Sequence, residues 1–238
     1  MSTPKTKGTL VLIPLPIIEG AHQTLPQEVY THTLHVQHYF AENVRTARRF
    51  LRSLHATLPL DNIQFSEIDK HTGPDIPLLK KWLSEGKQVG IMSEAGCPAI
   101  ADPGSNLVAV AHAMAATVVP LTGPSSIILA LMASGLSGQN FAFCGYLPVK
   151  EPARSKRIKE LEAHSAKEKQ TQIFIETPYR NNNMLADLLK NCAHHTHVCI
   201  AANISGPDQY IVTRSVADWK KDLPVLGKYP VVFLLLAY

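Results

Sequence analysis

The sequence has only four cysteines, and none of them stand in a CxxC or other paired spacing. Cys97, Cys144, Cys192 and Cys199 therefore indicate neither a zinc module nor a disulfide framework, and we expect four reduced thiols. The stretch HHTH at 194–197 matches no standard ligand spacing, so we predict a surface loop there and no metal site.

Long apolar runs are also missing. The basic N-terminal segment MSTPKTKGTLVLIPLP holds a short apolar run that Pro14 and Pro16 interrupt, so it lacks the hydrophobic centre of a signal peptide. The run VVFLLLAY at 231–238 is far too short to cross a bilayer and predicts a buried strand. We therefore expect a cytoplasmic protein that does not bind membranes.

Two common nucleotide motifs are absent as well. Neither GxGxxG nor a P-loop occurs, so a dinucleotide or triphosphate site is not indicated.

The net charge is small. The 23 Lys and Arg residues against 19 Asp and Glu give a net charge of +4. Such a mildly basic balance is compatible with a nucleic-acid partner without requiring one.

Short apolar runs rich in β-branched residues alternate with helical patterns. The predicted strands cover residues 9–14, 88–93, 117–121, 140–146, 171–176, 197–203, 209–214 and 230–238. The predicted helices cover residues 42–55, 75–86, 106–116, 124–135, 153–166 and 181–192, with Asp75 as an N-cap, Gly86 as a stop and Pro124 as a helix opener.

This alternation is typical of an α/β protein with largely parallel sheets. The additional strands in the last third predict antiparallel pairs there. A change from one set of elements to another near LTGPSS (121–126) predicts two α/β domains, an N-terminal one at 1–120 and a C-terminal one at 121–238.

Two loops of small and rigid residues follow predicted strands. They are SEAGCPAIADPG (93–104) and LTGPSS (121–126). Glycine and alanine let a ligand approach the backbone, proline stiffens a loop, and ligands of α/β sheets bind beyond the carboxyl ends of strands. Both loops therefore predict a ligand site. A structural turn, or a helix cap formed by Thr122 or Ser125, is the alternative.

Charged clusters occur in three further stretches. In AENVRTARRFL (41–51), one helical face is apolar and another carries arginines at the spacing of a single stripe, which continues to residue 52: Arg45, Arg48, Arg49 and Arg52. Guanidinium groups suit phosphates, although a solvated basic face is the alternative. FAFCGYLPVKEPARSKR (141–157) predicts a basic lip that includes Lys150, or a solvent loop. In IFIETPYR (173–180), Pro178 stops the strand, and we expect Glu176, Tyr179 and Arg180 to cluster at its end.

These five stretches, in this order, resemble the tetrapyrrole methylase superfamily of S-adenosylmethionine (SAM) methyltransferases. The branch most similar is that of the ribosomal RNA small-subunit 2′-O-ribose methyltransferases. SEAGCPAIADPG resembles the SDAGTPGISDPG loop of that branch, and TGPSS resembles its PGPSA loop. GYLP (145–148) resembles its GFLP segment, and FIETPYR (174–180) resembles its FYESPHR segment. AENVRTARRFL resembles its CEDTRHTRKLL segment. The resemblance covers roughly residues 9 to 237.

The resemblance implies two α/β domains with SAM in the cleft between them, and a homodimer. Carried over position by position, it implies cofactor contacts at Pro14, Ala95, Gly96, Cys97, Ile100, Ser125, Ser126, Glu176, Asn203 and Ile204. It also implies an RNA acceptor, small-subunit rRNA or the small ribosomal subunit. We expect Arg45, Arg48 and Lys150 to hold phosphates and regard Glu42 as the candidate catalytic base, with an ion pair to Arg45 as its alternative role.

The chain departs from that branch at three places. The family's PIGNLGD loop reads PLPIIEGAHQTLP here, CEDTR reads AENVR, and the RELTK-like segment reads ANISGPDQ (202–209). The alternatives are therefore a methyltransferase for a small molecule such as a tetrapyrrole, a SAM-binding relative without catalysis, and an unrelated α/β nucleotide-binding module.

Overall fold

The computed structural model describes residues 7–69 and 71–238, so the first six residues of the basic N-terminal segment lie outside the described part. The chain divides into two compact units, Met1–Ser125 and Ser126–Tyr238. Each unit contains one five-stranded sheet, and helices accompany the strands of both.

The strands of the first unit are β1 (Thr9–Leu12), β2 (His38–Ala41), β3 (Gln64–Glu67), β4 (Gln88–Met92) and β5 (Thr117–Pro120). Its helices are α1 (Gln27–His35), α2 (Val44–Leu54), α3 (Ile76–Ser84) and α4 (Ser105–Ala113). All strand pairs are parallel, in the order β3-β2-β4-β1-β5.

Both faces of the first sheet are buried. Alternate residues of a strand point to opposite faces, so Tyr39 packs in one cluster with Phe50 of α2, while Phe40 packs in another with Trp82 of α3. This two-sided burial is characteristic of parallel sheets. It explains why the strand sequences are short continuous apolar runs.

The second unit contains strands β6 (Phe141–Tyr146), β7 (Thr171–Glu176), β8 (His197–Ala202), β9 (Tyr210–Ser215) and β10 (Val231–Leu236). Its helices are α5 (Ser126–Ser134), α6 (Ala153–Glu168), α7 (Asn181–Asn191) and α8 (Val216–Trp219). The order is β6-β7-β10-β8-β9, with β6 and β7 parallel and the other pairs antiparallel. The α/β class, and the antiparallel pairs expected in the last third, are thus confirmed.

Some element predictions were wrong. α1, β2, β3 and α8 were not predicted. The helix predicted from residue 42 begins at Val44, because the side chain of Asn43 caps it by accepting a hydrogen bond from the Thr46 N–H. The helix predicted from Pro124 begins at Ser126. Asp75 caps α3 as predicted, through the Leu78 N–H.

The predicted surface loop at 194–197 is only half correct. His194 and His195 lie exposed in a turn, whereas His197 begins β8. The four cysteines are free, as expected, and Cys192 and Cys199 are buried.

Candidate active site

The carboxyl edge of the first sheet collects the loops that the sequence singled out. β1 lies between β4 and β5, and all three strands are parallel, so the loops that follow them leave from the same edge. Pro14, the 93–104 loop and the 121–126 loop are therefore neighbours, although more than a hundred residues separate the first from the last.

Backbone hydrogen bonds join these loops to one another. Leu15 and Gly96 exchange two bonds, with N···O distances of 2.9 and 3.0 Å. The Cys97 thiol donates to the carbonyl oxygens of Gly123 and Pro124, at S···O distances of 3.6 and 3.4 Å. The loop after β4 is thus hydrogen-bonded both to the loop after β1 and to the loop after β5.

Close packing between Pro14 and Gly123 fixes the same arrangement. A Cβ atom added to Gly123 would lie 2.2 Å from the Cβ of Pro14 and 2.3 Å from its Cγ. Real Cβ atoms do not approach that closely, so only glycine allows the two loops to meet here.

The 93–104 loop contains strained backbone. Ala99 and Ala101 have φ angles of +66° and +62°, in the left-handed region that alanine rarely adopts. Gly96 and Gly104, at +69° and +132°, adopt conformations that suit glycine. Such strain persists only where surrounding structure enforces it, and it clusters at ligand sites. The loop also holds the side chain of Ile100 in solvent, 53% exposed.

Glu42 follows β2 and lies beside the same loop. Its N–H donates to the Met92 carbonyl oxygen at 3.1 Å, and its Oε2 accepts a hydrogen bond from the Glu94 N–H at 3.3 Å. The candidate base therefore stands where the 93–104 loop begins.

A cavity of about 340 Å³ opens next to this loop. It is lined by residues of the 15–22 segment, of α2 and of the 93–104 loop: Leu15, Pro16, Ile17, Glu19, Gly20, His22, Thr46, Arg49, Phe50, Ser53, Glu94 and Ala95. Ala95 alone among the predicted cofactor residues lines it. The polar residues of the cavity come from separate elements, so apart from the altered first loop no motif in the sequence indicated it.

The predicted arginine stripe is present on α2, but its members have different surroundings. Arg48 forms an exposed ion pair with Asp61 at 3.2 Å and lies over the ring of Phe65. Arg49 pairs with Glu19 at 3.4 Å on the cavity wall. Arg45 is exposed and has no ion pair within residues 7–69 and 71–238.

In the second unit, Glu176 ends β7 as a buried carboxylate. Its Oε1 accepts hydrogen bonds from the Arg180 guanidinium, at 2.6 and 3.0 Å, and from the Thr177 N–H at 2.6 Å. Burial raises the pKa of Glu176, but the bonds from Arg180 and Thr177 outweigh it and hold the pKa below its ordinary value. Within the described residues its Oε2 has no hydrogen-bond partner, so one oxygen remains to accept a further bond.

The remaining predicted residues lie in both units. Asn203 follows β8 with a φ of +51° and donates its N–H to the Pro230 carbonyl oxygen. Ile204 packs its side chain into the core, so only its backbone can contact a ligand. Ser125 closes the first unit and Ser126 begins α5, both half-buried. Lys150 is exposed after β6.

The described residues hold no metal cluster and no membrane span. No three His, Cys, Asp or Glu side chains between residues 7 and 69 or 71 and 238 are placed to bind a metal ion. No helix in that part of the chain is both long and apolar enough to cross a bilayer.

The sequence is similar to methyltransferases along most of its length. The family model for tetrapyrrole (corrin/porphyrin) methylases matches residues 36–219. The chain is 30% identical to the ribosomal RNA small subunit methyltransferase I of Pasteurella multocida (strain Pm70), over 90% of this chain and 73% of that protein. It is 36% identical to the protein of the same name from Streptococcus pyogenes serotype M3, over 78% of this chain and 61% of that protein.

The fold is shared with a solved structure. A crystal structure of diphthine synthase covers 97% of this chain and 90% of its own, with a TM-score of 0.67 and 12% identity. An identity this low shows the fold alone, whereas the sequence relatives and the family model cover most of the chain. The chain therefore belongs to the tetrapyrrole (corrin/porphyrin) methylase family of methyltransferases.

Proposed function

We propose that this protein transfers the methyl group of SAM to a ribose 2′-hydroxyl of RNA, with small-subunit rRNA as the substrate. The relatives named as small-subunit rRNA methyltransferases support the acceptor. The observation that carries the proposal is the strained 93–104 loop, joined to both neighbouring loops and placed beside a cavity.

The residues at the carboxyl edge of the first sheet fit a bulky cofactor. SAM supplies an activated methyl group on its sulfonium, and transfer by in-line displacement needs alignment more than acid–base chemistry. Pro14, Gly96 and Cys97 present backbone and small side chains, and their loops are already fixed to one another. In this proposal Ala95, Ile100 and Ser125 complete the contacts from this unit. The resemblance also implies cofactor contacts at Ser126, Glu176, Asn203 and Ile204 of the second unit.

The cavity suits a nucleoside as the acceptor. Its volume of about 340 Å³ lies at the small end of the range for ligand sites, roughly 300–1,000 Å³. A single base with its ribose is therefore a better match than a tetrapyrrole macrocycle. Glu19 and Glu94 offer acceptors for base N–H groups, while Thr46 and Ser53 offer hydroxyls.

Glu42 is the proposed base for the ribose proton, and basic side chains are proposed to hold the RNA backbone. Glu42 stands at the start of the loop that borders both the cofactor residues and the cavity. Arg45 and Lys150 are exposed. Arg48 can exchange its solvent-exposed partner Asp61 for a phosphate, because exposed ion pairs contribute little to stability.

The homodimer stays a prediction. Sedimentation measures the oligomeric state directly.

The test combines cofactor binding with methyl transfer. Ala95→Phe adds a ring at the predicted cofactor residue that also lines the cavity, at a position whose φ is not left-handed. Ala113→Phe, on the exposed face of α4, is the matched control. Calorimetry measures SAM affinity, and transfer of labelled methyl is measured into small-subunit rRNA and into a tetrapyrrole.

We expect the wild type and Ala113→Phe to bind SAM and label the RNA, and Ala95→Phe to lose at least one of these activities. If the tetrapyrrole were labelled and the RNA were not, the methyl acceptor would be a tetrapyrrole and the proposed RNA acceptor would be wrong. Absence of SAM binding by the wild type would overturn the proposal as a whole.

A further inference from the structure

Three tyrosines lie at one edge of the second sheet. Tyr146 ends β6 and is 59% exposed, and Tyr179 follows β7 in a short 3-10 turn and is 80% exposed. Tyr229, 39% exposed, precedes β10, which runs antiparallel to β7 and pairs Val231 with Glu176. The end of β7 and the beginning of β10 therefore meet at the edge where Glu176 lies.

Two cationic side chains, those of Lys228 and Arg180, lie near these rings. The Lys228 ammonium lies 5.8 Å from the centre of the Tyr179 ring, and in the described chain it has no carboxylate partner. The Arg180 guanidinium pairs with Glu176 at the end of β7, and Tyr146 lies beside the same strand end, paired in register with Ile175. The acidic groups here are already engaged, since Glu176 pairs with Arg180 and Asp208 accepts a bond from the Tyr229 hydroxyl.

The loop that carries Lys228 and Tyr229 is fixed to α7. The Asn181 side chain is fully buried and donates to the Tyr229 carbonyl oxygen at 2.8 Å. Asn182 both donates to the carbonyl oxygen and accepts from the N–H of Leu226, at 3.0 Å each. These anchors hold the backbone that carries Lys228 and Tyr229 in place before any partner binds, which lowers the entropic cost of binding.

We propose that this tyrosine face, formed by Tyr146, Tyr179, Lys228 and Tyr229, binds a single-stranded stretch of RNA. Bases stack on the rings of Tyr146 and Tyr179, and Lys228 contacts a phosphate. Exposed aromatic rings next to cations are the surface that unpaired bases bind, and stacking tolerates any base because each has a π-face. The proposal rests on the RNA acceptor proposed above and assigns this face to unpaired nucleotides of that RNA.

The test measures the affinity of a labelled single-stranded oligonucleotide of small-subunit rRNA sequence by fluorescence anisotropy. Tyr179→Ala and Tyr146→Ala remove the rings, and Tyr179→Phe keeps the ring without the hydroxyl. Tyr238→Ala is the matched control, because Tyr238 is 71% exposed and lies beyond the opposite end of β10. SAM binding and sedimentation are measured on every variant.

We expect Tyr179→Ala to weaken RNA binding about tenfold and Tyr146→Ala to act in the same direction. Tyr179→Phe and Tyr238→Ala should bind like the wild type, and Lys228→Ala should reduce the salt slope by about 0.7.

Equal affinity for Tyr179→Ala and Tyr238→Ala, with RNA methylation intact in the wild type, would overturn this inference alone. A change in sedimentation without a change in RNA affinity would assign the face to a second copy of the chain and overturn it too. A wild type that neither binds nor methylates RNA would remove the proposed acceptor together with this inference.

Discussion

At the scale of single residues, the most informative side chain is the buried carboxylate of Glu176. Its side chain is fully buried, whereas that of its partner Arg180 is 32% exposed. Because the ion pair holds the pKa of Glu176 below its ordinary value of 4.5, the folded state binds fewer protons than the unfolded state in this range. The contribution of the Glu176 carboxylate to the free energy of unfolding is therefore complete above pH 4.5. It is lost as the pH falls through the lowered pKa of the folded state.

Glu176→Gln tests this linkage. At pH 7 we expect the variant to lose about 2 kcal/mol of unfolding free energy, since Arg180 loses its charged partner. The difference from the wild type should shrink as the pH falls below 4.5. Urea unfolding at a series of pH values measures it. Glu160→Gln, which breaks an exposed pair with Arg157, should have a smaller effect, and a pH-independent loss in Glu176→Gln would contradict the assignment.

The residue types of the site could be predicted from the sequence, but their conformations could not. Small residues in the loops at 93–104 and 121–126 predicted that a ligand approaches their backbone, and the structure shows these loops meeting their neighbours at Gly96 and Gly123. The left-handed φ angles of Ala99 and Ala101 have no local signal, because alanine alone favours right-handed backbone. Two other loops hold the same stretch at Gly96 and Cys97, and the stretch itself does not contain the residues that make these contacts.

At the scale of elements, the contact between the loops after β1 and β5 depends on Gly123. We expect Gly123→Ala to push its methyl group into the Pro14 ring and to cost about 1–3 kcal/mol of unfolding free energy. SAM affinity should fall with it, because the two loops must separate. Gly138→Ala is the control, since no atom lies within 4 Å of its added Cβ and its φ is not left-handed.

Urea unfolding and calorimetry measure both effects of Gly123→Ala. If this variant were as stable as Gly138→Ala, the close contact would not hold the loops together.

Most elements could be predicted, and the ones that were missed are short or weakly patterned. β3 has the sequence QFSE, with a single apolar residue, and only two residues separate β2 from α2. α1 mixes β-branched residues with histidines and has no clear apolar face. Their burial comes from the sheet on which they pack, so the periodicity of the segment itself carries little signal.

At the scale of the whole molecule, the net charge of +4 is small. The proposed RNA binding therefore depends on a few exposed cationic side chains. The double variant Arg45→Ala/Arg48→Ala removes two proposed phosphate contacts. We expect weaker RNA binding and a flatter dependence of affinity on salt, by about 0.7 per lost contact for single-stranded RNA.

Lys80→Ala/Lys81→Ala removes the same charge from exposed positions on α3 and serves as the control for net charge. Binding curves at several salt concentrations measure both variants. An unchanged slope in the arginine variant, or equal slopes in the two, would exclude α2 as a phosphate-binding helix.

The strand order of the first sheet has a consequence for folding. β1 is the first strand in the chain, yet it pairs with neither β2 nor β3: Thr9 pairs with Gln88 and with Thr117. Pairing at such sequence separation makes folding slow and leaves the apolar strand without partners until β4 has been synthesised. During synthesis, the yield of native protein therefore depends on how well a four-residue strand is shielded from aggregation while its partners are still missing.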